Sequence, residues 1–139
     1  MSKNIEKVLP GIKKSVSLKN HSTFGIGGKA KYFFLAKTKK DFIDSIEAAK
    51  KTSTPFFILG SGSNILISDK GYCGLIIKFQ GSNVDIKRSV ISAEAGVLLS
   101  SLAAKALRGG LSGLEWAVGI PGTLGGSVFG NAGAFSQSM

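Results

Sequence analysis

One cysteine, Cys73, and one histidine, His21, are all this sequence holds of the two residue types that most often ligate zinc or serve as nucleophile and base. A Cys/His zinc site needs about four such ligands. A disulfide needs two thiols. Neither can be built within the chain, so metal chemistry is not expected, and the lone cysteine fits a reducing cytoplasm. No apolar run approaches the ~18 residues of a membrane span. The opening Met1-Ser-Lys-Asn-Ile-Glu6 lacks the apolar core of a signal peptide, so no membrane partner is expected. Acidic residues are scarce as well, 8 against 18 Lys and Arg. The imbalance is uneven: residues 1–51 hold twelve basic and four acidic side chains, residues 52–139 six and four. The basic residues are mostly lysines, singly or in pairs, with no arginine-rich run, zinc-finger spacing or RRM-type aromatic motif. Such a surface suits anionic small molecules better than nucleic acid, and no nucleic-acid partner is expected.

What is abundant is glycine, 19 residues in a chain of 139 that is 43% hydrophobic, enough for one folded domain with a real core. Residues 1–20 read as a lysine-rich lead-in, an arm or short helix with a turn at Pro10-Gly11. Residues 31–36, Lys-Tyr-Phe-Phe-Leu-Ala, predict a strand. Gly25-x-Gly27-x-x-Ala30 has the letter pattern of a dinucleotide fingerprint, but that motif must open a helix and here a strand follows. Thr38-Lys-Lys-Asp41 predicts a capped helix start, with Phe42, Ile43, Ile46 and Ala49 on the buried face. Strands are expected at 55–59 and 75–79, with residues 65–67 extended between them, giving a small α/β unit over about 21–80. A second unit, about 81–139, opens with paired strands at 84–87 and 89–94 across Arg88-Ser89. A helix follows with Leu98, Leu99, Leu102, Ala103, Ala106 and Leu107 facing inward, stopped by Gly109-Gly110. No internal repeat or low-complexity tract is present.

Two glycine-rich loops are the places for chemistry. The run Gly60-Ser-Gly-Ser-Asn64, between two expected strands, can point successive N–H groups the same way as a nest for phosphate oxygens, with Ser61, Ser63 and Asn64 as side-chain donors. An ordinary glycine turn is the competing reading. It lacks the GK[ST] ending of a Walker loop. The stretch 119–133 has six glycines in fifteen residues and no charge. Its apolar Ile120, Leu124, Val128 and Phe129 set it apart from a flexible linker. Pro121 fixes the backbone before Gly122-Thr123, which can start a helix whose N-terminal N–H groups favour an anion. Gly125 and Gly126 permit close approach of a ring or pyrophosphate, and Asn131 adds an amide that donates and accepts. Close helix–strand packing without a ligand is the alternative. His21 reads as structural, Cys73 as a packing thiol, and Glu115 as either a site partner or a cap on the turn at Trp116. No triad or acid/base pair can be assembled.

Taken in order, Phe24-Gly-Ile-Gly-Gly28, Leu59-Gly-Ser-Gly-Ser-Asn-Ile-Leu66, Gly113-Leu-Glu-Trp-Ala-Val-Gly-Ile-Pro-Gly-Thr-Leu-Gly-Gly126 and Asn131-Ala-Gly-Ala-Phe135 resemble the UDP-N-acetylenolpyruvoylglucosamine reductase (MurB) family. Gly25 departs from the longer polar or basic side chain usual there. The resemblance implies an α+β fold: an FAD-binding PCMH-type, vanillyl-alcohol-oxidase-like domain over 21–139, in two α/β subdomains of which the second is incomplete. It implies bound FAD, contacted by Leu59, Gly60, Ser61, Gly62, Ser63 and Asn64 at the pyrophosphate. Pro121, Gly122, Thr123, Gly125, Gly126, Asn131, Ala132 and Gly133 are to lie along flavin and pyrophosphate. NADPH is implied as hydride donor and a UDP-sugar as second substrate, in a ping-pong reduction of the enolpyruvyl double bond that yields UDP-N-acetylmuramate. The family's catalytic arginine, serine and glutamate fall beyond Met139, as does the substrate-binding C-terminal domain. The chain is therefore expected to be the flavin-binding part of a cytoplasmic reductase that is a monomer at full length. Alone it is expected to turn over no substrate and to hold FAD weakly or not at all. Another FAD-binding oxidoreductase of the same fold, such as an oxidase, and a non-catalytic fragment are the alternatives.

Overall fold

The computed structural model describes residues 4–139, which divide into two compact units, one up to Gln80 and the other Gly81–Met139. The first is built on a four-stranded sheet: β1 (Lys13–Ser17), β2 (Lys29–Ala36), β3 (Phe56–Leu59) and β4 (Tyr72–Phe79), in the order β1-β2-β4-β3. β4 runs parallel to both neighbours, and β1 is antiparallel to β2. The period of two along β4 sends Leu75 and Ile77 to one face and Ile76 to the other, and all three are buried. A central parallel strand covered on both sides needs such a continuous apolar run.

One face packs on α1 (Ile5–Val8) and α2 (Lys39–Lys51), through Ile5, Leu9, Ala48 and Ala49. The other holds Leu18, Ala30, Phe33 and Leu59. The expected capping box is present. Asp41 donates its N–H to Thr38 Oγ1 at 3.1 Å, and the Asp41 carboxylate accepts from the Thr38 N–H at 2.9 Å. Hydrogen bonds to the carboxylate, the largest from the Thr38 backbone N–H and the next from the Thr38 side chain, hold the Asp41 pKa below its ordinary value. The buried face of α2 is rotated from the expected stripe. Ser45 and Ala48 join Ala49 inside, Phe42 and Ile46 are half-buried, and Ile43 is exposed.

Residues 13–17 correct the reading of the lead-in. They form an edge strand, with Val16 opposite Ala30 and Lys13 opposite Phe33. Its Lys-Lys-Ser start is exposed, so burial leaves little apolar signature to read. The part of that lead-in before Asn4 lies outside the described residues. Residues 65–67 are extended but join no strand. Ile65 and Ile67 pack inward while Leu66 is exposed.

In the second unit β5 (Val84–Lys87) and β6 (Val90–Ala93) form the expected hairpin, with Arg88 in the left-handed region at φ +55°. Helix α3 (Leu99–Arg108) buries Leu99, Leu102, Ala103 and Ala106, whereas Leu98 and Leu107 at its ends are exposed. Leu98 is the N-cap and Leu107 lies in the last turn, where the helix face has no cover. A 3-10 turn (Glu115–Ala117), α4 (Leu124–Phe129) and a small hairpin, β7 (Gly133–Ala134) with β8 (Gln137–Ser138), complete the chain. Leu99, Ala103, Trp116 and Ala117 form this unit's core, with Leu114, Ile120 and Leu124 against it. Phe129 and Phe135 are 94% and 90% exposed, apolar surface that this unit leaves uncovered.

Candidate functional site

The loop 59–64 leaves the carboxyl end of β3 and is followed by the extended segment, not by a second strand directly. Leu59 is buried and anchors it. Gly62 is left-handed at φ +78°, and a Cβ there would sit 2.0 Å from the His21 carbonyl oxygen. Only glycine satisfies both conditions. The Gly62 carbonyl accepts two donors from one residue, the Thr23 N–H at 3.1 Å and the Thr23 hydroxyl at 3.4 Å. Ser61 and Ser63 bring their hydroxyls to 3.4 Å of each other. Among the described residues no acceptor takes the N–H groups of Gly60, Ser61, Gly62 or Asn64. The loop is therefore held through the Gly62 carbonyl, with those four amides untaken among the described residues.

The stretch 119–133 is put together differently. Thr123 is the N-cap of α4, with its hydroxyl accepting the Gly126 N–H at 3.4 Å. The Leu124 N–H goes to the Val97 carbonyl at 2.7 Å and the Gly125 N–H to the Ala95 carbonyl at 2.8 Å. With the Leu99 N–H on the Gly122 carbonyl at 3.0 Å, these bonds tie the start of α4 to the segment before α3. All three first-turn amides are consumed. The expectation that they favour an anion is corrected: six residues of helix whose leading N–H groups are already bonded offer no anion site. Gly125 has a packing reason instead, since a Cβ there would come 2.8 Å from Ala95 Cβ. Further on, the Ala132 N–H bonds the Ser127 carbonyl at 2.9 Å, while Asn131 stays exposed in the left-handed region at φ +46°. Pro121 and Gly126 are exposed, and Gly122 and Gly133 carry no side chain. What this stretch offers a ligand is surface and the Asn131 amide, not a cluster of main-chain donors.

The remaining candidates resolve into structural parts. His21 stacks on Phe33 with ring centroids 4.6 Å apart, and its Nδ1 is buried with no hydrogen-bond partner among the described residues. Burial, helped by Lys78 and Lys13, lowers its pKa from the ordinary value and so disfavours the charged ring. The Glu115 carboxylate accepts the Gly113 N–H at 2.8 Å, and the Trp116 indole N–H donates to the Gly113 carbonyl at 3.1 Å. The first of these bonds ties the Glu115 carboxylate to the loop just ahead of its own 3-10 turn. Cys73 is exposed, which corrects its reading as a packing thiol. It precedes the part of β4 that β3 covers, which starts at Leu75. Among the described residues there is no His/Cys/Asp/Glu group able to hold a metal, and no helix long and apolar enough to cross a membrane. Thr23, the residue that fastens loop 59–64, escapes sequence reasoning, because its partner is 39 residues away and no local pattern announces the pairing.

A family model described as an FAD binding domain matches residues 30–139. The chain belongs to that family. This FAD binding domain is 46% identical over 129 residues to the UDP-N-acetylenolpyruvoylglucosamine reductase of Caldicellulosiruptor bescii, a match covering 91% of this chain and 40% of the relative. It is 40% identical over 141 residues to the enzyme of the same name from Alkaliphilus oremlandii, covering 99% of this chain and 46% of the relative. Among solved structures, the UDP-N-acetylenolpyruvylglucosamine reductase (MurB) of Thermus caldophilus superposes with a TM-score of 0.72 at 35% identity, over 91% of this chain and 44% of that one. The expected fold class, a PCMH-type FAD-binding α+β domain, is thereby established, and the resemblance with it. The chain spans less than half the length of the relatives it matches.

Proposed function

We propose that this FAD binding domain is the flavin-holding part of a cytoplasmic, monomeric, NADPH-dependent reductase that converts UDP-N-acetyl-enolpyruvylglucosamine to UDP-N-acetylmuramate. The observation that carries the reading is the identity of 40% and 46% to two reductases of that name over nearly the whole chain. Bound FAD supplies a two-electron relay from NADPH to the enolpyruvyl double bond. The residues of this chain bind and orient. Loop 59–64 fits a pyrophosphate, because the N–H groups of Gly60, Ser61, Gly62 and Asn64 have no acceptor among the described residues and stand next to two serine hydroxyls. Pro121, Gly122, Thr123, Gly125, Gly126, Asn131, Ala132 and Gly133 are assigned to the same cofactor as contact surface, with the Asn131 amide as the polar group among them. The reduction itself is assigned to the rest of such a reductase, outside the part that this chain matches.

FAD titration of the 139-residue chain, followed by flavin fluorescence, tests the reading. Weak, saturable binding without NADPH oxidation is expected. A longer form from the same locus should purify yellow and oxidise NADPH only when the enolpyruvyl UDP-sugar is supplied. A longer form that takes up no flavin, or that oxidises NADPH equally without the sugar nucleotide, sinks the proposal.

A further inference from the structure

We propose that Lys78 is a cofactor-binding residue, the ammonium that meets the pyrophosphate of FAD beside loop 59–64. The inference rests on the FAD reading of that loop. Lys78 sits at the carboxyl end of β4, an inner strand, one residue before it stops at Phe79. Its register partner on β3 is Leu59, the residue from which the loop departs. β2, β3 and β4 run parallel, and the crevice outside the carboxyl ends of parallel strands is where such sheets take ligands. The alternation along β4 sends Leu75 and Ile77 toward the helices, and Ile76 and Lys78 to the opposite face. Loop 59–64 meets that same face. Leu59 is part of its core, and Gly62 is pressed against the main chain of His21, whose ring stacks on Phe33.

Lys78 is half-buried, and no carboxylate among the described residues pairs with it. A charge taken partly out of water without a partner costs free energy, which an anion bound beside it recovers. The protein supplies no such anion on this face. Of the acidic residues of the first unit, Glu6, Asp41, Asp44 and Glu47 belong to α1 and α2, the layer on the other face, and Asp69 precedes β4 at its amino end. The neighbours of Lys78 are basic instead. Lys78 and Lys13 both act on the His21 ring, adding to burial in lowering its pKa, and Lys13 lies opposite Phe33 on β1 and so shares the face. The buried Nδ1 of His21 has no hydrogen-bond partner among the described residues, and neither do the N–H groups of Gly60, Ser61, Gly62 and Asn64. A pyrophosphate carries two adjacent anionic groups, enough to engage the loop amides and the ammonium together.

The test uses the full chain with Lys78→Met, which keeps the apolar stem and removes the charge, and Lys78→Arg, which keeps the charge. Lys50→Met makes the same change in net charge at an exposed position of α2. Affinities for FAD, for riboflavin, which has no phosphate, and for inorganic pyrophosphate are measured side by side, and the His21 pKa is followed by its ring-proton NMR signals. Lys78→Met should weaken FAD and pyrophosphate roughly tenfold, the lower end for a charge-assisted hydrogen bond because the site is partly solvated, while riboflavin binding is unchanged. Lys78→Arg should recover most of the loss, and Lys50→Met should alter none of the three. The His21 pKa should rise in Lys78→Met, where a positive charge beside the ring is gone, and stay in place in Lys50→Met. Equal weakening of FAD and riboflavin, an equal effect of Lys50→Met, or a His21 pKa that Lys78→Met leaves in place overturns the proposal. A parent chain that binds FAD no more tightly than riboflavin overturns the FAD reading of the loop instead. The role of Lys78 is then decided by the inorganic ion, and is overturned if Lys78→Met binds pyrophosphate as tightly as the parent chain.

Discussion

Loop 59–64 and the stretch 119–133 look alike in composition, glycine-rich and uncharged, yet they handle their backbone in opposite ways. The first is fastened by the Gly62 carbonyl, and among the described residues no acceptor takes the N–H groups of Gly60, Ser61, Gly62 or Asn64. The second spends its leading amides on Ala95, Val97 and Thr123 and is locked into its own unit. Glycine therefore means two things here. At Gly62 it allows a left-handed turn pressed against another main chain, and at Gly125 it allows a helix to lie on an alanine. A count of glycines cannot tell a donor cradle from a packing seam. The direction of the hydrogen bonds can.

The sharpest way to break this contrast is Gly62→Ala. The new Cβ collides with a main-chain carbonyl and the residue must also hold a positive φ. A loss of about 3 kcal/mol or more in urea-measured stability is expected, with FAD binding abolished. Gly125→Ala should cost about 1–3 kcal/mol by overpacking, and because the obstacle is a side chain, adding Ala95→Gly should recover part of it. If Gly125→Ala weakens FAD without lowering the thermal midpoint, the packing account of that glycine is wrong. Thr123→Ala removes an N-cap and should cost about 0.5–1 kcal/mol. An equal loss of FAD affinity in a chain that remains folded would restore the anion reading of this helix start.

The smallest effect is one of pH. The folded state lowers the His21 pKa from its ordinary 6.5, so below that value the unfolded chain takes up the proton first. Stability should be independent of this group above pH 6.5 and should fall as pH drops, levelling off once the folded form also protonates. Denaturation midpoints of a His21→Phe variant, lacking the slope, check it.

Local chemistry made much of the fold legible. Thr38 and Asp41 announced the start of α2, the apolar run Leu75-Ile-Ile77 announced a strand covered on both faces, and Gly109 ended α3. Phase was easier to read than depth. Ile43, Leu98 and Leu107 obey a helical period and are still exposed, because the element that would cover them is a matter of tertiary packing. β1 was hidden for the same reason: a Lys-Lys-Ser-Val-Ser sequence becomes a strand only because β2 presents it an edge. At the candidate site, residue types located both loops. Which amides are taken depends on Ala95 and Val97, and which carbonyl is held depends on Thr23, partners distant in sequence that no local motif encodes.

Trp116 has a use of another kind. It is the chain's single tryptophan, buried in the core of residues 81–139 with its indole N–H on the Gly113 carbonyl, while both tyrosines, Tyr32 and Tyr72, belong to the first unit. The two units thus carry different intrinsic fluorophores. Excitation that selects tryptophan follows the unit with the packing seam, and tyrosine emission follows the unit with the open amides. One denaturation series, recorded at two excitation wavelengths, can watch each half unfold without any added label.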